Sequence, residues 1–257
     1  MSILFDVQDR VARITIDRPE RMNAVDQAGH KQLIEIWDEV ERNEDILCAV
    51  LTGSGDRAFC AGADMKDNSG LTGVQYWEQF GADFGGISLR KSLSKPVIAR
   101  VNGLALGGGL EMVLGCDIVI ASDGARFGLP EAKVGRVPLD GGMVALPRLI
   151  PRNIAVGMML TGRLVQASEI EKYGLLNAVV PFEQLDSETD KWVSDILACA
   201  PLSVRAIKAT VRQTSHLTMQ EAYKTPLPEL IAALQSEDSE EGVTAFIEKR
   251  APVWKGR

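Results

Sequence analysis

Asn102-Gly-Leu-Ala-Leu-Gly-Gly-Gly-Leu-Glu111 is the stretch on which the reading of this chain turns. Three consecutive glycines run into a helix-like segment whose first turn carries a glutamate. Without side chains at Gly107, Gly108 and Gly109, a ligand oxygen can approach the main chain. A helix starting there leaves its first amides unpaired, with the positive end of its dipole outward. Glu111 follows Gly108 by three residues, one helical turn or roughly 4.5 Å of rise, so an acid/base group would stand beside amides that stabilise an anion. Such a pairing suits enolate chemistry. Gly-rich turns also close strand-to-helix junctions for purely geometric reasons, and the run alone leaves that reading open. The spacing G-x-x-x-G-G-G is not the dinucleotide fingerprint G-x-G-x-x-G, although Asp123 lies where a ribose-binding acid would be sought. No Gly-Lys-Ser/Thr follows, which excludes a P-loop.

Working outward, Arg57-Ala-Phe-Cys-Ala-Gly-Ala-Asp64 is a small-residue loop just after the apolar strand Cys48-Ala-Val-Leu-Thr52, and it offers a second close-approach amide. Phe127-Gly-Leu-Pro-Glu131 follows the apolar strand Asp117-Ile-Val-Ile-Ala121 and brings a second carboxylate, preceded by a proline that fixes the local chain direction. Taken singly, each glutamate reads as a solvated surface residue. Their positions after Gly-Gly-Gly and after Gly-x-Pro reverse that reading.

The wider pattern is α/β. Ile3 to Val7 and Val11 to Ile16 alternate as a hairpin, and Gln27 to Asn43 has helical periodicity through Leu33, Ile36, Trp37 and Val40. Apolar strands at 49–51, 97–101 and 118–120 alternate with helices. After Pro181 the pattern is helical almost throughout: 185–199, 204–215, a capping box Thr218-Met-Gln-Glu221, and an amphipathic helix near 240–250. We divide the chain at 195, with a core carrying the site before it and a helical region, 196–257, after it.

At 257 residues and 46% hydrophobic the chain can bury a sizeable core. No apolar run approaches the ~20 residues of a membrane span, and the N-terminus lacks a signal-peptide pattern, so a cytoplasmic protein is expected. Cys48, Cys60, Cys116 and Cys199 are widely separated, without C-x-x-C, and only two histidines occur. Buried thiols are expected rather than disulfides or metal ligands. The net charge of −7 argues against nonspecific nucleic-acid binding.

Taken together, Arg18-Pro-x-x-x-Asn-Ala24, Ala-Gly-Ala-Asp64, Gly-Gly-Gly-x-Glu111, Phe-Gly-x-Pro-Glu131, Leu-Thr-Gly-Arg163 and Glu-Lys-Arg250, in this order over nearly the whole chain, resemble the enoyl-CoA hydratase/isomerase (crotonase) family. Within it, Pro-Glu-Ala-Lys-Val-Gly135 and the ending Ser236-Glu-Asp…Phe246-x-Glu-Lys-Arg-x-Pro-Val-Trp-Lys-Gly-Arg257 look most like the carnitinyl-CoA dehydratase branch. The resemblance implies a spiral of ββα units with a C-terminal helical layer, assembling as trimers or dimers of trimers. It assigns the N–H groups of Ala63 and Gly108 to an oxyanion hole for a thioester carbonyl, and Glu111 and Glu131 to an acid/base pair. Arg21, Ala24, Ala61, Asp64, Met65, Lys66, Leu139 and Lys249 are the candidates for contact with substrate and its coenzyme A part. For Asp64 a loop or helix-cap role competes. No separate cofactor or metal is implied, and the partner is an acyl-CoA thioester rather than nucleic acid or membrane.

One departure from simple hydratases stands out. They usually follow the second glutamate with Gly-x-x-Pro-Gly-x-Gly-Gly, whereas this chain has Gly135-Arg-Val-Pro-Leu-Asp-Gly-Gly142. Leu139 replaces a glycine and Asp140 adds a carboxylate, so a bulkier, more acidic pocket floor is expected. Between Asp67 and Arg90, Tyr76, Trp77, Phe80 and Phe84 form an aromatic stripe that reads as core or as acyl-pocket lining. A quaternary ammonium on the substrate would find Trp77 or Tyr76 for a cation–π contact, with Asp83 or Asp140 as counter-charge. Competing with a hydratase are an isomerase of the same family, for which Glu111 is the discriminating residue, a nucleotide-binding oxidoreductase, and a noncatalytic CoA- or RNA-binding scaffold.

Overall fold

A computed structural model describes residues 2–67, 70, 72–80 and 83–257, for 79 and 80 the backbone only. The chain opens with β1 (Ile3–Gln8) and β2 (Val11–Ile16), an antiparallel hairpin in which Ile3 faces Ile16. Next comes α1 (Gln27–Arg42), started by Asp26, whose carboxylate accepts the Gly29 N–H at 2.7 Å. A strand–strand–helix step then repeats. It runs as β3 (Cys48–Gly53), β4 (Ala58–Cys60) and α2 (Gly73–Phe80), then β5 (Val97–Val101), β6 (Leu104–Leu106) and α3 (Gly108–Gly115), then β7 (Ile118–Ser122), β8 (Arg126–Gly128) and α4 (Gly142–Leu149). It continues through α5 (Arg152–Thr161), β9 (Val165–Gln166), α6 (Ala167–Ile170) and β10 (Ala178–Val180).

In each step the two strands part company. The first joins a six-stranded sheet, β1-β2-β3-β5-β7-β10, parallel throughout after the hairpin; the second joins a four-stranded sheet, β4-β6-β8-β9. Two buried asparagines hold the first crossing. Asn102 donates to the carbonyls of Gly55 (2.7 Å) and Ala58 (3.0 Å), and Asn23 donates to those of Ser54 (2.9 Å) and Ala58 (2.6 Å). These bonds satisfy turn carbonyls that the sheets leave unpaired. A Cβ at Gly53 or Gly103 would collide with the backbone of this same crossing.

Alternation along the central strands sorts their side chains between two layers. Ala49 and Leu51, Val97, Ala99 and Val101, and Val119 and Ala121 face a core shared with Leu33 and Trp37 of α1, Leu110 and Met112 of α3, and Phe59, Ala105 and Phe127 of the small sheet. Cys48, Val50, Ile98 and Ile120 face the opposite way and are covered by Leu185 and Val193 of α7 (Leu185–Leu197). The near-continuous apolar strands are thus buried on both faces, as parallel strands are.

The remainder is helical: α8 (Pro201–Gln213), α9 (Met219–Lys224), α10 (Pro228–Leu234) and α11 (Glu237–Glu248). The Thr218/Glu221 capping box is present with both reciprocal bonds. Two helix starts lie three residues before the periodicity. α8 begins at Pro201, a residue suited to the first helical position, and α11 begins at Glu237, capped by Ser236. The stretch α10 lay outside the sequence expectation. Buried Lys208 reaches Asp117 at 2.7 Å and Arg212 reaches it at 3.1 Å, fastening α8 to the junction of α3 and β7. All four cysteines are free; Cys48 and Cys60 are buried and Cys199 is exposed. Among the described residues no helix is long and apolar enough to cross a membrane.

Candidate active site

The backbone at the start of α3 is shaped by its glycines. Gly107, at φ +55°, donates its N–H to Gly128 O at 2.9 Å and turns the chain into the helix. Gly108 is the first residue of α3, so its N–H has no intrahelical acceptor. Gly109 lies so close to the Cys60 carbonyl that a Cβ would collide with it, and a Cβ on Gly62 would stand 3.3 Å from Gly108 N. Segments 60–63 and 107–109 therefore meet backbone to backbone. Val25 bridges to Ala63 in parallel: its N–H donates to Gly62 O and its carbonyl accepts the Asp64 N–H, both at 2.9 Å. That pattern turns the N–H of Ala63 itself away from Val25. Neither Ala63 nor Gly108 donates its N–H to an acceptor among the described residues.

Two carboxyl groups flank this turn. Glu111, in the first turn of α3, is 2% exposed, and its Oε1 accepts the Gly142 N–H at 2.8 Å. Burial, with the like charges of Asp140 and Glu131 added, pushes its pKa up to about 8 against the pull of the Gly142 N–H. Glu131 opens a short 3-10 turn, Glu131–Val134, after the proline. Its Oε1 stands 2.9 Å from where a Cβ of Gly107 would be, and its Oε2 is buried with no hydrogen-bond partner among the described residues. Burial raises its pKa as well. At neutral pH Glu111, the more deeply buried of the two, holds its proton.

The walls around the pair come from distant segments. A Cβ on Gly108 would stand 2.6 Å from Phe84 Cδ1, so the ring of Phe84 lies across this glycine. Asp140 is 7% exposed; its Oδ1 accepts the Asp83 N–H at 3.1 Å, and burial pushes its pKa up to about 6. Tyr76 is half-buried and faces the charges of Asp140 and Glu111, which together with burial push it up to about 12. Trp77, its neighbour on α2, is 55% exposed and points outward. Of the two aromatics named for a cation–π contact, Tyr76 is the one directed at the carboxylates. The Phe80 side chain lies outside the described residues. Leu139 is half-buried beside Asp140.

A family model described as enoyl-CoA hydratase/isomerase matches residues 6–257. The chain belongs to the enoyl-CoA hydratase/isomerase family. Among curated relatives, the carnitinyl-CoA dehydratase of Proteus mirabilis (strain HI4320) is 39% identical over 261 residues, covering 100% of this chain and 99% of the relative. The (E)-benzylidenesuccinyl-CoA hydratase of Thauera aromatica is 38% identical over 258 residues and covers 100% of both chains. Among solved structures, an enoyl-CoA hydratase from Bacillus anthracis superposes with a TM-score of 0.93 at 32% identity, covering 100% of both chains. The likeness establishes the crotonase fold that the motifs implied.

Against this family frame, the remaining candidates divide. Ala24 and Ala61 are held in the strip beside the Ala63 loop, where the Ala61 N–H donates to Met22 O at 3.1 Å and Ala24 O accepts Arg18 Nη1 at 2.6 Å. Arg21, Met65 and Lys66 lie exposed on its rim, Met65 at 67%. Asp64 is committed within the chain: its Oδ2 pairs with Arg18 at 2.9 Å and its Oδ1 accepts the Lys66 N–H at 3.1 Å, and these contacts hold its pKa below the usual carboxylate value. Of the two readings for Asp64, the loop role is the one these contacts describe. Lys249 sits apart as the left-handed C-cap of α11, and among the described residues no hydrogen bond or ion pair joins its side chain to the two glutamates. The Arg18-Pro-x-x-x-Asn-Ala24 motif by itself predicts no role for Arg18. This arginine stitches Ala24, Asp64 and, at 3.4 Å, Asp26 into one strip behind Ala63. Its position just before a proline carried no signal of contacts so far along the chain.

Proposed function

We propose that the chain is an acyl-CoA hydro-lyase that adds water to a 2-enoyl-CoA thioester, or removes it from a 3-hydroxyacyl-CoA, with Glu111 and Glu131 as the acid/base pair. The observation that carries the reading is the flanking of one backbone turn, Gly107-Gly108, by two carboxyl groups, the buried Glu111 and the half-buried Glu131, whose pKa values burial raises. Hydration forms a C–O bond at the β-carbon and a C–H bond at the α-carbon, and the π electrons pass through the thioester oxygen as an enolate. One carboxyl takes a proton from water, the other delivers one to the α-carbon, and the N–H groups of Ala63 and Gly108 hold the enolate oxygen. Removing one such donor typically raises the barrier by ~3 kcal/mol. Dehydration runs the same transfers backwards. Coenzyme A enters as part of the substrate, with Arg21 and Lys66 at the rim as partners for its phosphates.

The acyl compartment is acidic. Asp140 and Asp83 stand behind Glu111, and burial raises the pKa of both. A second carboxylate on the substrate would add a like charge to a poorly solvated cluster, whereas a neutral or cationic tail would not. We therefore place the chain nearer to a carnitinyl-type substrate than to a benzylidenesuccinyl-type one. For assembly we propose a trimer or dimer of trimers through the C-terminal helices, supported by the exposed apolar face of α11, where Val243, Phe246 and Ile247 are 61%, 84% and 72% exposed. The test of function is a panel of crotonyl-CoA, longer enoyl-CoAs, crotonobetainyl-CoA and benzylidenesuccinyl-CoA, followed by loss of the conjugated-enoyl absorbance. Turnover without a charged tail or with a cationic one is expected to exceed that with the carboxylate tail. Absence of hydration on all of them overturns the reading.

A further inference from the structure

We propose that Asp140 is a positioning residue that couples the two walls of the site: its own turn holds Glu111, while its carboxylate holds the segment that seats Phe84 on Gly108. The inference rests on the hydro-lyase reading for its consequence in turnover, but its geometry stands independently. On one side, Asp140 and Gly142 belong to a single turn, and the Gly142 N–H donates to Glu111 Oε1 at 2.8 Å. A Cβ on Gly142 would stand 3.0 Å from that oxygen and 2.8 Å from Pro138 Cβ, so the turn is fitted closely against Glu111. On the other side, Asp140 Oδ1 accepts the Asp83 N–H at 3.1 Å, and the Phe84 N–H also favours the ionised carboxylate. The next residues, Phe84–Gly86, form the 3-10 turn whose ring crosses Gly108. Asp83 itself is turned back into the segment, where its Oδ1 accepts the Leu89 N–H at 3.2 Å.

A carboxylate is a costly choice for a buried clamp, because an amide would accept the same N–H bonds without the charge. Its neighbours show what the charge adds. Glu111 on α3 and Tyr76 on α2 both feel Asp140 as a like charge; Glu131 and Asp83 act on Asp140 in the same sense. The groups of opposite sign stand one layer back: His30 of α1 and Arg90 face Asp83, and Arg90 is itself paired with Asp38. Asp140 feels the charges of Asp83 and Glu131, and its own charge acts on Glu111, raising the affinity of that carboxyl for its proton. Asp140 therefore favours the protonated form of Glu111 by charge and holds the wall that carries Phe84 in place by hydrogen bonding.

Asp140→Asn separates the two actions, since the amide oxygen keeps the Asp83 bond and loses the charge. Asp140→Ala removes both. Two readouts are taken on wild type and both variants: the pH dependence of kcat/KM on the best thioester of the panel, and a 13C titration of the Glu111 carboxyl, assigned by its loss in Glu111→Gln. In Asp140→Asn the alkaline limb and the Glu111 titration both move to lower pH by ~0.5–1 unit, the scale of a like charge removed across a partly screened interior, while KM stays within about threefold. In Asp140→Ala the same displacement is joined by a rise in KM of tenfold or more as the Phe84 segment loosens. Superimposable pH profiles and titrations in wild type and Asp140→Asn overturn the charge role, and equal KM values in the two variants overturn the clamp. Absence of turnover in all three proteins, with the titration displaced as expected, counts against the hydro-lyase reading and leaves the coupling standing.

Discussion

Replacing Glu111 by glutamine is expected to stabilise the protein at alkaline pH while removing its activity. Glu111 is 2% exposed and its pKa is pushed up to about 8 from an ordinary value of 4.5. Between those two values the folded chain holds a proton that the unfolded chain has released, so the contribution of this group to stability falls as pH rises through the window. At ~1.4 kcal/mol per pH unit, the full separation amounts to about 5 kcal/mol above pH 8. Glutamine keeps the acceptor for the Gly142 N–H, but it brings an amide N–H2 that must be satisfied, which takes back ~1–2 kcal/mol. The net gain at pH 9 is then ~3–4 kcal/mol, or ~6–16 °C in Tm for a chain of this size. Near pH 5 the two proteins differ only by the amide term, and the gain vanishes or reverses. Calorimetric scans of both proteins from pH 5 to 9 measure the gap directly, and the contributions of Asp140 and Glu131, present in both, largely cancel. A gap independent of pH, or one that shrinks toward pH 9, refutes the assignment of a strained, proton-holding carboxyl at this position.

Three further outcomes are expected. Glu131→Gln lowers hydration by ~10²–10⁴-fold with little change in affinity for a saturated acyl-CoA; near-wild-type kcat in that variant removes Glu131 from the acid/base pair. Gly108→Ala places a methyl group against the Phe84 ring and costs ~1–3 kcal/mol of stability, read by urea denaturation. Adding Phe84→Ala recovers part of that loss if the ring is the obstacle, and a strictly additive double variant shows that it is not. Phe246→Glu, on the exposed apolar face of α11, shifts the mass measured by light scattering from trimer or hexamer toward monomer, and an unchanged mass moves the assembly surface elsewhere.

What could be read from the sequence was what is local. The apolar strands at Cys48, Val97 and Ile118 announced themselves because both of their faces are buried, and the Thr218/Glu221 capping box lies within one turn of helix. The strands of the small sheet, two or three residues each, are too short to show a period, and their parting from the larger sheet depends on Asn23 and Asn102 meeting the same carbonyl from distant parts of the chain. The glutamates were legible because glycine and proline mark their turns. The groups that set their chemistry were not: Gly142 meets Glu111 across 31 residues, Arg18 meets Asp64 across 46, and Asp83 meets Asp140 across 57. Helical spacing on α2 put Tyr76 and Trp77 in one stripe, and only tertiary packing could say that the first faces in and the second out.

A carboxyl in the first turn of a helix is ordinarily stabilised as the anion, because the unpaired amides and the dipole favour negative charge there. Glu111 shows the opposite, and the order of causes explains it: burial outweighs the bond from Gly142, and two further carboxylates add to it. The eight-residue helix α3 offers a modest dipole, and the Glu111 carboxyl takes its backbone bond from Gly142 rather than from the helix's own first amide at Gly108. This division suits a reaction through an enolate. In the proposed reaction, an ionised Glu111 would add a second negative charge to the site where Ala63 and Gly108 are to hold the enolate oxygen, weakening the electrostatic gain they would provide. In that reaction, a protonated Glu111 would leave the amides to the thioester oxygen, so the cluster of carboxylates that costs the fold stability would also keep the proposed oxyanion wall available.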